Sequence, residues 1–139
     1  MTLTKIHFHA LAPFNLPNQE HVQKWMEQAI KAEKKQIGEI NCIFCDDEYL
    51  LEKNKTYLNH NTLTDIITFD YTEKDVIIGD LFISTERVHE NAKIYNVTFE
   101  LELSRVLIHG VLHLLGYSDK TEEEKKTMRN KENFYLKKL

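Results

Sequence analysis

The pattern of the chain is dominated by one run. Between Thr98 and Gly116 the sequence reads TFELELSRVLIHGVLHLLG, and Val106, Leu107, Ile108, Val111, Leu112, Leu114 and Leu115 point in nearly every direction around a helix. A surface helix confines its apolar residues to one stripe, so this helix is expected to be buried on most sides. Thr98 is a natural cap, Glu100 and Glu102 suit the positive end of the helix dipole, and Gly116 is a natural stop.

The other patterns give a framework around it. IHFHALA reads as a first strand, with His7 and His9 on one face as ordinary strand residues. From Pro17 and Asn18 a long helix follows, its Val22, Trp25, Met26, Ala29 and Ile30 recurring at the three- and four-residue spacing of a stripe that packs on a sheet. EINCIFC is a second strand, and DDEYLLEKNKTYL begins with capping aspartates and continues as a short helix with Leu50, Leu51, Tyr57 and Leu58 as its apolar residues. TDIITFDY and VIIGDLFIS are β-branched and aromatic runs joined by the polar TEKD, which predicts a hairpin. STERVHENAKIY predicts a brief helix with His89 on its surface, and Thr121 with Glu124 forms a capping box for a charged terminal helix held by Met128, Tyr135 and Leu136. The expected fold is α+β: residues 1–139 as a single domain, a mixed sheet of about four strands packed with about five helices.

Composition narrows the class. A chain of 139 residues that is 42% hydrophobic and 29% charged has the makings of one folded domain with its own core. No segment approaches the ~18 apolar residues of a membrane span. MTLTKIHFHALAPFNLP has no basic region leading into an apolar run, so a cytoplasmic protein is expected. The formal charge of −4 argues against indiscriminate coating of nucleic acid, and the lysines of KAEKK and KKTMRNK are expected on solvated helix faces. Cys42 and Cys45 form one CxxC inside a strand, where residues three apart face opposite sides, so both are expected to be buried structural thiols.

The candidate chemistry lies at the end of the buried helix, in HGVLHLLGYSD, residues 109–119. Residues four apart on a helix project from one face, ~40° apart around the axis and ~6 Å along it, so His109 and His113 are placed to share a metal ion. Burying two imidazoles in an apolar helix is costly unless something satisfies them, and a metal satisfies both. Gly116 permits the left-handed turn that brings Asp119 back towards them. Three protein ligands with a position left open is the pattern of a catalytic rather than a structural zinc site. The spacing is shared with the long metallopeptidase motif HExxHxxGxxH, but Gly110 stands where that motif has its general-base glutamate and Asp119 stands for its third histidine, which argues against proteolysis. Two histidines and a carboxylate also occur in non-haem iron oxygenases, whose ligands normally come from strands at other spacings.

HGVLHLLGYSD resembles the signature HGxLHLxGYxH of the YbeY family of single-domain, metal-dependent endoribonucleases and ribosomal RNA maturation factors. TDIITF resembles that family's TDVLSF strand and GDLFIS its GDI strand, in the expected order. The resemblance implies a zinc ion in a cleft, a role in processing the 3′ end of small-subunit ribosomal RNA and in ribosome quality control, and a cytoplasmic location. Its implied partners are ribosomal RNA, the small ribosomal subunit and associated proteins, with no membrane and no DNA. Carried onto this chain, His109 and His113 form the catalytic centre and His109, His113 and Asp119 the metal ligands. Aspartate is a harder ligand than histidine, so zinc is expected with manganese, nickel or iron as alternatives. Thr64, Asp65 and Asp80 are the family-matched polar residues expected to line the cleft. The family carries a phosphate-binding arginine where Leu58 stands here, and His60 in YLNHNTLTD is the nearest substitute. The alternative is a ribosome assembly factor in which the metal only holds the helix end.

Overall fold

Four strands form the centre of the fold: β1 (Ile6–Ala10), β2 (Gln36–Cys45), β3 (Ile66–Asp70) and β4 (Val76–Ser84). The computed structural model describes residues 5–60 and 62–139. The sheet order is β1-β2-β4-β3; β2 pairs in parallel with both β1 and β4, and β3 pairs antiparallel with β4. The sheet is therefore mixed, as the sequence pattern predicts. TEKD closes the β3–β4 hairpin with a bridge between Glu73 and Val76, and Lys74 takes the turn at φ 55°.

Helices α1 (Gln19–Ala32) and α4 (Phe99–Leu114) share the main core with one face of the sheet. The predicted stripe of Val22, Trp25, Met26, Ala29 and Ile30 is buried. Along α4, burial extends all around the helix, from Leu103 through Leu107, Ile108, Val111 and Leu112 to Leu114. Each such aliphatic side chain contributes about 1.5–3 kcal/mol when withdrawn from water. Helix α5 (Glu122–Leu136) packs on α4, burying Met128 and Tyr135, and the Trp25 indole donates to the Tyr135 carbonyl at 2.8 Å. Helix α3 (Thr85–Tyr95) sends Val88 into the same core, while exposed His89 stacks on Phe99 at 3.9 Å between ring centroids.

The opposite face of the sheet is partly covered by α2 (Asp47–Leu58), whose Leu50 joins Cys45 and Ile67 in a smaller cluster. The predicted short helix forms, and its last turn stays largely in solvent: Tyr57 and Leu58 are 62% and 45% exposed, with Tyr57 edge-on to Phe69 and under the Lys53 ammonium at 4.8 Å. The buried position belongs instead to Asn54, whose amide donates to the Thr62 carbonyl at 2.8 Å.

The capping residues behave as their chemistry demands. Asp46, Ser84, Thr98 and Thr121 each accept a backbone N–H at the start of a helix, and Thr121 with Glu124 completes the capping box. Cys42 and Cys45 are free and buried in different clusters; burial raises both thiols, Cys45 to about 12, which keeps them inert. Among the described residues no helix is long and apolar enough to cross a membrane.

Candidate metal centre

Glycine 110 explains how α4 reaches its position. A Cβ there would stand 2.8 Å from Ile66 Cδ1 and 3.0 Å from both methyls of Leu81, so only hydrogen leaves room for the helix to lie this close to β3 and β4. The neighbouring His109 and His113 lie on the adjoining faces of the helix with their side chains 23% and 28% exposed. Gly116 then adopts φ +106°, and the amides of Gly116 and Tyr117 bond back to the carbonyls of His113 and Leu112 at 3.0 Å each. This reversal carries Asp119 back over the two histidines.

The three side chains converge. His109 Nε2 and His113 Nε2 are 3.1 Å apart, and Asp119 Oδ2 lies 3.4 Å from each of them. A tetrahedral ion held at ~2.0–2.1 Å by three nitrogen or oxygen donors requires donor separations of about 3.3–3.4 Å. The residues present fit such an ion, and this is the cluster of metal-ligating groups that stands out among the described residues. The imidazoles are about one quarter exposed and Asp119 is 41% exposed, so the donors face an accessible opening.

A carboxylate behind the cluster fixes the ring of His109. Glu132 on α5, 5% exposed, places Oε2 2.7 Å from His109 Nδ1, and Arg105 holds its other oxygen at 2.9 Å. An Nδ1–H donating to Glu132 leaves the Nε2 lone pair aimed at the cluster. Burial alone would depress the imidazole's proton affinity, but the hydrogen bond and charge of Glu132, then Asp119 and Asp65, more than offset it and raise the pKa of His109. His113 moves the other way, lowered by burial and by the neighbouring His109. Glu132 itself is lowered despite its burial, through the hydrogen bonds of His109 and Arg105.

Beside His109 a cavity of about 200 Å³ is bounded by Asp65, Glu102, Arg105, Arg129 and Glu132, with Tyr95 at its margin. Of the expected lining residues, Asp65 is in place, and its carboxyl is raised chiefly by burial. Thr64 turns its hydroxyl to the Ile66 carbonyl at 3.3 Å. His60 is exposed just beyond α2 and is not part of the cavity wall, and the neighbouring Asn61 lies outside the described residues. Asp80 is on the wrong side of the sheet: its neighbours Gly79 and Leu81 face α4, so strand alternation sends Asp80 to the opposite face, where it accepts from the Asn41 amide at 3.1 Å.

Sequence reasoning missed Glu132, Arg105 and Glu102, although each left a trace. Glu132 interrupts the apolar face made by Met128 and Tyr135, four residues before it and three after. Glu102, Arg105, His109 and His113 recur at three and four residues, a polar stripe along a helix that is otherwise apolar.

Comparison with known proteins follows the same lines. The family model described as Endoribonuclease YbeY matches residues 12–139. A protein of Flavobacterium johnsoniae named Endoribonuclease YbeY is 53% identical over 128 residues, covering 92% of each chain. One of the same name from Flavobacterium psychrophilum is 52% identical over 132 residues, covering 95% of this chain and 94% of its own. A solution structure of a Thermotoga maritima protein superposes with a TM-score of 0.69 at 29% identity, covering 95% of this chain and 87% of that one.

Proposed function

Because the chain belongs to the YbeY endoribonuclease family, we propose that it is a metal-dependent, single-strand endoribonuclease that processes the 3′ end of small-subunit ribosomal RNA and takes part in ribosome quality control in the cytoplasm. The observation that carries this reading is the triangle of His109 Nε2, His113 Nε2 and Asp119 Oδ2, with edges of 3.1, 3.4 and 3.4 Å and one side open. Those edges favour a tetrahedral ion, and two imidazoles with one carboxylate suit zinc. Bound there, zinc supplies Lewis acidity towards a phosphoryl oxygen and acidifies water towards a pKa of ~7.

The protein's own groups do the positioning. Glu132 keeps the proton of His109 on Nδ1, and Arg105 holds Glu132 against α4. His113, whose pKa is lowered, stays neutral and available as a donor at neutral pH. Asp119 reaches the cluster from the turn after Gly116 and brings the negative charge that favours a cation. Gly110 contributes no carboxylate, so the site lacks the proton acceptor a peptidase of this spacing would use.

One observation favours the second reading, a metal-containing assembly factor without catalysis: Leu58, where the family has its arginine, is exposed and offers phosphate no donor. The deciding experiment is elemental analysis of the purified protein with single-turnover cleavage of a small-subunit ribosomal RNA 3′-end fragment, with and without chelator. Cleavage that falls in step with metal content, in the chelated protein and in folded His113→Ala, supports the nuclease. A fully metallated protein that does not cut puts the assembly factor ahead.

A further inference from the structure

Two arginines reach the cavity beside His109, and they are not alike. Arg105 is committed: its guanidinium bonds Glu132 at 2.9 Å and Asn133 at 3.0 Å, and its side chain is 23% exposed. Arg129 is 62% exposed and its nearest carboxylate, also Glu132, is 3.8 Å away, too far for a hydrogen bond. Its fork is free to take a new acceptor. Across the cavity, at the end of α3, Tyr95 is 62% exposed at the margin. An exposed aromatic ring and a free guanidinium on the walls of one cavity are the groups that single-stranded nucleic acid uses, stacking for the base and a guanidinium for the backbone.

We propose that this cavity is the subsite for the nucleotide adjoining the scissile bond, with Arg129 gripping its phosphate and Tyr95 stacking on its base. The inference deepens the ribonuclease reading and rests on it. A volume of about 200 Å³ admits a phosphate with part of its sugar, leaving the base at the rim where Tyr95 stands. The carboxylates of Asp65, Glu102 and Glu132 also face the space, but Glu132 is paired with the Arg105 guanidinium at 2.9 Å and bonded to His109 Nδ1 at 2.7 Å. Glu102 and Asp65 are both raised above their ordinary values, in each case chiefly by burial. Arg129 thus provides from α5 the fork that is missing from the end of α2 at Leu58.

The test uses the metal-loaded protein, a single-stranded RNA oligonucleotide with methylenephosphonate linkages, which water activated by a metal cannot hydrolyse, and its cleavable phosphodiester counterpart. Fluorescence anisotropy across a salt series gives affinity and its salt dependence; single-turnover kinetics gives cleavage; elemental analysis confirms equal metal in every variant. Both positions are exposed, so the variants should fold. Arg129→Ala is expected to bind about tenfold more weakly, with the slope of log Kd against log salt reduced by about 0.7. Arg129→Lys should recover the slope without the full affinity, because an ammonium lacks the planar fork. Tyr95→Ala is expected to lose about five- to hundredfold in affinity with the slope unchanged, the mark of lost stacking. If both alanine variants bind as wild type does, or wild type does not bind the oligonucleotide, the subsite is overturned. If wild type cuts while the variants bind normally, the nuclease reading stands without the subsite. If wild type binds with the expected variant pattern but does not cut, the cavity still binds a nucleotide, but the nuclease reading falls and with it the assignment next to a scissile bond.

Discussion

Glu132 Oε2 lies 2.7 Å from His109 Nδ1, a buried carboxylate on α5 setting the ring orientation of a histidine on α4. Partners in this position commonly control metal affinity by 10–100-fold. Glu132→Gln keeps the size of the side chain but loses the charge that holds the Nδ1 proton and pairs with Arg105. It should bind zinc about 10–100-fold more weakly, with an unchanged circular dichroism spectrum, in a competition titration against a chromophoric chelator. Wild-type affinity in the folded variant would mean that packing of α4 alone orients the ring. Glu132→Ala should also cost about 1–3 kcal/mol of stability, because it removes the charged hydrogen-bond partner of Arg105, which keeps its bond to Asn133.

Gly110 tests how the helix is seated. Gly110→Ala gains about 1 kcal/mol of helix propensity, but its methyl enters a space 2.8 Å from Ile66 Cδ1 and 3.0 Å from the Leu81 methyls. Overpacking of this kind costs about 1–3 kcal/mol, so a modest net fall in thermal stability is expected. Gly110→Glu restores the glutamate of the peptidase spacing and should yield no peptidase. Its carboxylate would be driven into the sheet rather than towards the cluster, at a cost of several kcal/mol. A stable, folded Gly110→Glu would show that α4 can lift from the sheet.

The physical reason that some features were legible and others not is visible in single residues. The triad was legible because its members lie within eleven residues on one helix and the turn after it, where periodicity and a glycine determine direction. The helices and the mixed sheet followed from burial patterns and caps of the same local kind. Glu132 was hidden because it reaches His109 from a different helix, 23 residues away, inside a segment whose charges look like ordinary solvation. Asp80 was misplaced because strand alternation says that Gly79 and Leu81 share a face without saying which face meets α4; that is decided by the packing of Gly110 on Leu81. Tyr57 and Leu58 lie on the helix their sequence predicts, but which of its residues are covered depends on packing with other elements, and both stay exposed.

Glu33, just after α1, joins three separate parts of the fold. It accepts from the Tyr117 hydroxyl at 2.6 Å, from Lys131 at 3.1 Å and from the Tyr135 hydroxyl. Burial would raise its pKa, but these three donors outweigh it and the carboxyl is held below 4.5. A depressed folded-state pKa means that the contribution is present above the unfolded value and is lost as pH falls through the folded one. Glu33→Gln should therefore be destabilised by about 1–3 kcal/mol at neutral pH. The gap in melting temperature from wild type should narrow as pH falls below 4.5. A gap that persists unchanged at pH 3 would assign the effect to shape rather than charge.

Asp119 decides both the ligand set and the choice of metal. It is 41% exposed and sits past the end of α4, so replacing it leaves the core intact. If its Oδ2 is the third donor, Asp119→Ala leaves two imidazoles, and affinity for zinc and manganese should fall together. Asp119→His replaces a hard anionic oxygen by an imidazole nitrogen that zinc accepts well. Zinc binding should then be kept or strengthened, while manganese, which prefers carboxylate, should bind less well. Isothermal titration of both metals into apoprotein measures the two affinities side by side. A folded Asp119→Ala with wild-type affinity for zinc would remove Asp119 from the ligand set. Loss of zinc from folded Asp119→His, alongside loss in Asp119→Ala, would instead mean that the turn set by Gly116 positions a carboxylate but leaves too little room for an imidazole, so that the aspartate is required by geometry and not merely tolerated.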